Sequence, residues 1–86
     1  MPEISRFFGI IVAIYYRDHN PPHFHAKYAG ETGVFSIEDL KLIEGSLPRR
    51  AVLLVLEWAF EHREELMDDW KLAADDKPLR KIAPLV

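Results

Sequence analysis

Phe8-Gly9-Ile10-Ile11-Val12-Ala13-Ile14-Tyr15-Tyr16, then Arg17-Asp18-His19-Asn20-Pro21-Pro22, then His23-Phe24-His25-Ala26-Lys27-Tyr28, is the stretch that decides the fold. Its first part is β-branched, aromatic and almost continuously apolar, as in a strand covered on both faces. Its middle holds two prolines with Asn and Asp. Proline fixes φ and removes a ladder donor, so the chain turns there. Its last part alternates: His23, His25 and Lys27 point one way, Phe24, Ala26 and Tyr28 the other, which is the pattern of a half-buried strand.

Downstream, Ala29-Gly30-Glu31-Thr32-Gly33 reads as a second turn and Val34-Phe35-Ser36-Ile37 as a third strand. Glu38-Asp39 is a tight connection, and Leu40 to Ile43 a short fourth strand. Gly45-Ser46-Leu47-Pro48 announces a helix, with Ser46 able to cap and Pro48 suited to the first turn. Val52, Val55, Leu56, Ala59, Leu66 and Trp70 recur at helical spacing as the sheet-facing stripe, widened by Leu53, Phe60 and Met67. Glu57, Glu61, Glu64, Glu65, Asp68 and Asp69 give the other side an acidic bias, which usually means a solvated face. Trp58 is expected to point away from the stripe. Asp75-Asp76-Lys77-Pro78 ends the helix, and Leu79, Ile82 and Leu85 tie a tail to the domain edge. The expectation is one α+β domain over 1–86. It is a small antiparallel β-meander of three to four strands (about 8–17, 23–29, 33–37 and 40–44) packed on one long C-terminal helix (about 47–73), with a tail over 78–86.

The size agrees with one domain and not two, since the chain has 86 residues. Apolar residues make up 49%, which argues against disorder. With no cysteine, neither a disulfide nor a thiolate metal site can staple the fold. The start lacks the layout of a signal peptide, and the apolar run from Gly9 to Tyr16 is too short for a bilayer. A cytoplasmic protein without a membrane role is expected. The formal net charge of −3 lies on the C-terminal side, because residues 1–50 balance and residues 51–86 carry the excess. The chain is therefore not a generic basic nucleic-acid binder.

Three of four histidines, His19, His23 and His25, fall within seven residues. Positions two apart on a strand share a face, so His23 and His25 can meet at one point, and His19 can fold back from the turn. Imidazole suits both proton transfer and metal ligation. A solvated sheet face, acid–base chemistry and a metal held by His19, His23 and His25 all remain open. No carboxylate shares that strand face, and Asp18 is the near candidate for an outer group. Arg49 and Arg50 at the helix start oppose the macrodipole unless an anion sits there, and Arg17 could join a phosphate patch. Pairing of both arginines with Glu44, Glu38 or Asp39 is the plainer alternative. His62 reads as a half-buried packing residue. Only one of Tyr15 and Tyr16 can face the histidine strand.

Ile4 to Ile10, Tyr15 to Ala26 with its string Asp18-His19-Asn20-Pro21-Pro22-His23-Phe24-His25, Leu47 to Ala51 and Glu57-Trp58-Ala59 together resemble the bacterial family catalogued as domain of unknown function 4160. Members of that family are often encoded beside a small protein of the domain-of-unknown-function 2442 type. The resemblance implies a toxin of a type II toxin–antitoxin module, acting on RNA or translation, with a small antitoxin-like protein as partner and a homo- or hetero-oligomer as the working form. On that expectation His19, His23 and His25 are the acid–base groups of a metal-independent endoribonuclease. Arg17, Arg49, Arg50 and Tyr16 hold phosphate, and no cofactor is required. The alternatives are a non-catalytic module that binds protein or nucleic acid, and a histidine-based metal protein.

Overall fold

A computed structural model describes residues 2–86. Five strands form one antiparallel sheet in sequence order: β1 Glu3–Phe7, β2 Ile10–Ala13, β3 His23–Tyr28, β4 Glu31–Ser36 and β5 Lys41–Gly45. Two helices follow, α1 Arg49–Glu61 and α2 Arg63–Ala74. The α+β meander is as the sequence implies, but three details differ.

First, the expected strand over 8–17 is a hairpin arm. Phe8 and Gly9 both take positive φ (49° and 80°) and form a two-residue turn. Such turns match the twist of the strands that flank them. Glu3–Phe7 is thereby a strand of its own, and Phe7 pairs with Ile10. Ala29 and Gly30 repeat the device between β3 and β4, so β4 begins at Glu31, earlier than its apolar residues suggest. In the sequence one glycine marks each turn, Gly9 and Gly30.

Second, the expected single helix is broken at His62, whose N–H bonds the Ala59 carbonyl at 3.1 Å. No proline or glycine marks the break. The His62 ring packs beside Trp58, and its Nδ1 meets Glu65 Oε1 at 2.6 Å. Ser46 caps nothing; Pro48 stands at the helix N-cap without a side-chain bond.

Third, the buried helical face is rotated toward Ala51 and Trp58. Trp58 is fully buried, and its indole N–H donates to the Ala83 carbonyl at 2.8 Å. The largest apolar surface on the helix, with its polar edge satisfied, takes the core position. Leu53 and Phe60 are exposed instead, and Asp69, expected on the solvated side, is buried.

Phe24 stacks on Phe35 (centroids 5.3 Å, interplanar 8°) and meets Trp58 edge-on, so the even-numbered face of β3 is the one that carries the helices. Ile4, Ile10, Val12, Ile14, Ile37, Val55 and Leu66 complete the core. The tail covers the β1 edge: Ile82 N–H donates to the Ile4 carbonyl at 2.8 Å. Such cover removes a free edge that would otherwise invite pairing with another chain. On the opposite sheet face, segment 14–22 meets His23 and His25 through Tyr15 and Asp18. That segment is pinned where Arg17 N–H donates to the Ala73 carbonyl at the end of α2.

Candidate functional site

The histidines of β3 and the loop before it converge on one carboxylate. His23 and His25 share a strand face, and the loop folds Asp18 back over them. Asp18 Oδ2 lies 2.9 Å from His23 Nε2 and 3.4 Å from His25 Nε2. Its Oδ1 accepts the His19 backbone N–H at 2.8 Å and lies 3.0 Å from His19 Nδ1. The chain passes through a cis Asn20–Pro21 peptide in this loop. The Asp18, His23 and His25 ligand atoms all lie within 4.8 Å of one another, the one such cluster found among the described residues.

The tautomer of His23 follows from its other ring nitrogen. His23 Nδ1 is 2.7 Å from the Pro21 carbonyl oxygen, which can only accept, so Nδ1 carries the proton. In the neutral ring, Nε2 then presents a lone pair, and that lone pair faces Asp18 Oδ2. Two acceptors at such a distance need a proton or a cation between them. The His23 side chain is 6% exposed and packs on Trp70, so water has little access to relieve the conflict.

His25 stands at the border of the cleft, its ring edge-on to Tyr15 with centroids 4.4 Å apart. Burial pulls its pKa below the ordinary histidine value, and His23 adds to that, against the opposing pull of Asp18. Burial alone would raise the Asp18 carboxyl. The His19 backbone N–H and the His23 and His25 rings together outweigh it, and the net shift is downward. At neutral pH the cluster thus offers an ionised carboxylate with a neutral His25 ring.

The surrounding cleft is about 250 Å³ and is lined by Asp18, His19, Pro21, His23, His25, Val34, Ile43 and Glu44. His19 sits at its rim, its side chain 89% exposed and its ring 5.6 Å from that of His23.

The expected phosphate ligands are not part of this cleft. Arg50 lines a separate cavity of about 470 Å³ with Phe8, Ile10, Tyr28, Pro48, Ala51 and Leu54. Arg49 and Arg50 are exposed, and among the described residues neither forms an ion pair. Arg17 reaches toward Asp76 at 3.9 Å, beyond the end of α2. Tyr16 is exposed, and Tyr15 is the tyrosine against the histidines.

Glu44 is the residue that sequence reading missed as a member of the site. Strict alternation from Leu42, which pairs with core residue Phe35, would put Glu44 on the helix side. A bulge between Val34 and Phe35 leaves Ile43 as the extra residue, so Glu44 pairs with Val34 instead. Val34 in turn pairs with His25. Gly45, at φ +76°, closes the bulge where an added Cβ would lie 2.2 Å from the Thr32 carbonyl oxygen. The glycine was the one local signal.

A family model described as Domain of unknown function (DUF4160) matches residues 9–71. The chain belongs to that family. The match spans the loop, all three cleft histidines, Glu44 and most of the two helices. No curated protein and no solved structure matches the chain. Among the described residues no helix is long and apolar enough to cross a membrane.

Proposed function

We propose that this DUF4160 domain works through a divalent first-row metal ion held by Asp18, His23 and His25. The observation that carries this reading is the His23 ring: Nδ1–H is committed to the Pro21 carbonyl, leaving the Nε2 lone pair aimed at a carboxylate oxygen. A metal-bound histidine is ordinarily oriented in this way, through an N–H to a backbone carbonyl. The spacings suit an ion as well. With bonds of about 2.0–2.1 Å, ligand atoms around one ion stand roughly 2.9 Å apart at right angles and roughly 3.4 Å apart at tetrahedral angles. The two measured separations are 2.9 and 3.4 Å. Two imidazoles and one carboxylate favour zinc, manganese, iron or cobalt over calcium or magnesium. Three protein ligands leave coordination positions open to water and substrate, as catalytic sites require.

Protein without an affinity tag, stripped with chelator and titrated with Zn²⁺ or Co²⁺, should bind one equivalent, and Co²⁺ should give visible d–d absorption. Asp18→Ala and His23→Ala should abolish both signals. A wild-type stoichiometry near zero, in protein shown to be folded, rejects the reading.

A second reading keeps the same residues without the ion: His25 and the exposed His19 exchange protons, with Asp18 orienting both. The contact of Asp18 with all three histidines favours it. Cleavage of RNA by chelator-treated protein would select it over the metal. In either form the biological setting we propose is the one the family resemblance implies, a toxin restrained by a small antitoxin-like partner. Growth arrest on expression, relieved by the neighbouring gene and abolished by Asp18→Ala, would support that setting.

A further inference from the structure

The cleft face of the sheet carries three rows of directly opposed residues. Glu3, Ala13, His25, Val34 and Glu44 make the middle row, with Glu3 neutralised by Arg6 at 2.8 Å. Ile11, Lys27 and Thr32 lie on one side of it, and His23, Ser36 and Lys41 on the other. Neighbouring strands are about 4.8 Å apart, so the Cα atoms of His25 and Glu44 stand roughly 10 Å from each other with both side chains on the same face. An ion held at His25 would leave room between them for a water. Glu44 is exposed, and among the described residues it has no ion-pair or hydrogen-bond partner. Bulges commonly re-aim a side chain beside a functional site.

We infer that Glu44 is the proton acceptor of the metal centre and that the substrate is a phosphodiester of single-stranded nucleic acid. This rests on the ion-binding reading of Asp18, His23 and His25. A divalent ion held by Asp18, His23 and His25 would supply an acidified water, and Glu44 would take its proton. The water oxygen would form a bond to phosphorus as that proton leaves. The bond from phosphorus to the leaving oxygen breaks, and the proton held by Glu44 passes to that oxygen, giving a phosphomonoester and an alcohol.

The substrate class follows from charge and its placement. Lys27 and Lys41 flank the middle row on its two sides, and both are exposed. With a doubly charged ion in place, the face is net positive around Asp18 and Glu44, although the whole chain is acidic. Lys27 and Lys41 stand on opposite sides of the middle row, so the phosphates before and after the scissile one would each meet a cation, which suits a strand whose charges repeat along its length.

The test uses the full untagged chain, stripped and reloaded with Zn²⁺ or Mn²⁺, with bis(4-nitrophenyl) phosphate and a labelled single-stranded RNA as probes. Loaded wild-type protein should cleave both. Glu44→Gln should bind the ion within about threefold of wild type and melt at the same temperature, yet lose on the order of 100-fold or more in kcat. Its remaining rate should lack the acid limb of the wild-type pH profile, and Glu44→Asp should restore part of the loss. Lys27→Ala and Lys41→Ala should raise KM for the RNA and weaken its salt dependence. Cleavage by Glu44→Gln at the wild-type rate overturns the role of Glu44. An ion bound at unit stoichiometry without cleavage of either probe overturns the hydrolytic inference alone. No bound ion overturns the metal reading and this one with it.

Discussion

The two faces of β3 use adjacent residues for opposite ends. Phe24 and Ala26 are wholly buried under the helices, within the apolar core. His23 and His25, one residue away on either side of Phe24, meet a carboxylate, a backbone carbonyl and a tyrosine ring. The first face is held by area and shape. The second is held by a few directed contacts whose donors and acceptors do not balance without a further proton or ion. A sheet face that is polar, shielded and under-satisfied is a place for chemistry, whereas the opposite face is a place for stability.

Substitutions that separate the faces test this contrast. Phe24→Ala should cost about 3–5 kcal/mol, enough to unfold much of so small a domain, as read by urea titration. His25→Ala, its neighbour, should cost less than about 1.5 kcal/mol in the same assay, because it removes one long hydrogen bond at the cleft border. Comparable losses for the two would erase the distinction between core and site.

The next effect belongs to the cleft. A saturating divalent ion should raise the melting temperature of the wild type, by about 2.7 kcal/mol of stability at 100 times Kd. Asp18→Asn should remove most of that gain while leaving the metal-free melting temperature near its starting value. A gain that survives in Asp18→Asn would place the ion elsewhere.

Trp58→Phe probes how the helical face is anchored. It forfeits the indole bond to Ala83 and some buried area, and about 1–2 kcal/mol of stability should go with it. Amide exchange in residues 79–86 should quicken, since that bond ties the tail to α1. Unchanged exchange there would mean that the contacts of Arg80, Lys81 and Ile82 hold the tail without that bond.

The smallest effect is a pH slope. Asp69 is buried, its Oδ1 accepts the Arg80 N–H at 2.9 Å, and its Oδ2 has no partner. Burial raises its pKa, with Asp68 and Glu65 adding to the rise and Arg80 opposing it. A raised carboxyl pKa stabilises the fold below the unfolded value, and that contribution is lost as pH rises through the folded value. The melting temperature of the wild type relative to Asp69→Asn should therefore fall as pH climbs from acid toward neutral. An unaltered slope in the variant would assign it to another group.

Much of the fold was legible because period is a local property. Alternation over His23–Tyr28 gave the two faces of β3, and Phe24, Val55, Leu66 and Trp70 were placed in the core from spacing. Turns were less legible: a positive φ at Phe8 or Leu40 has no residue signature, so the β1–β2 hairpin was missed. Trp58 and Asp69 were assigned to the wrong side of the helix, because one turn of helix offers several apolar stripes and only the partner surface selects among them.

For the site, the sequence by itself determined that His23 and His25 share a face and that a proline loop precedes them, since both follow from strand geometry and from the fixed φ of proline. Tertiary structure decided which groups join them. Folding of segment 14–22 brought Asp18 within hydrogen-bond reach, the bulge at Ile43 brought Glu44 onto the same face, and the sheet left Arg50 beside another cavity. Residues distant along the chain meet through turns, bulges and packing, and a periodic pattern within one element holds no record of them.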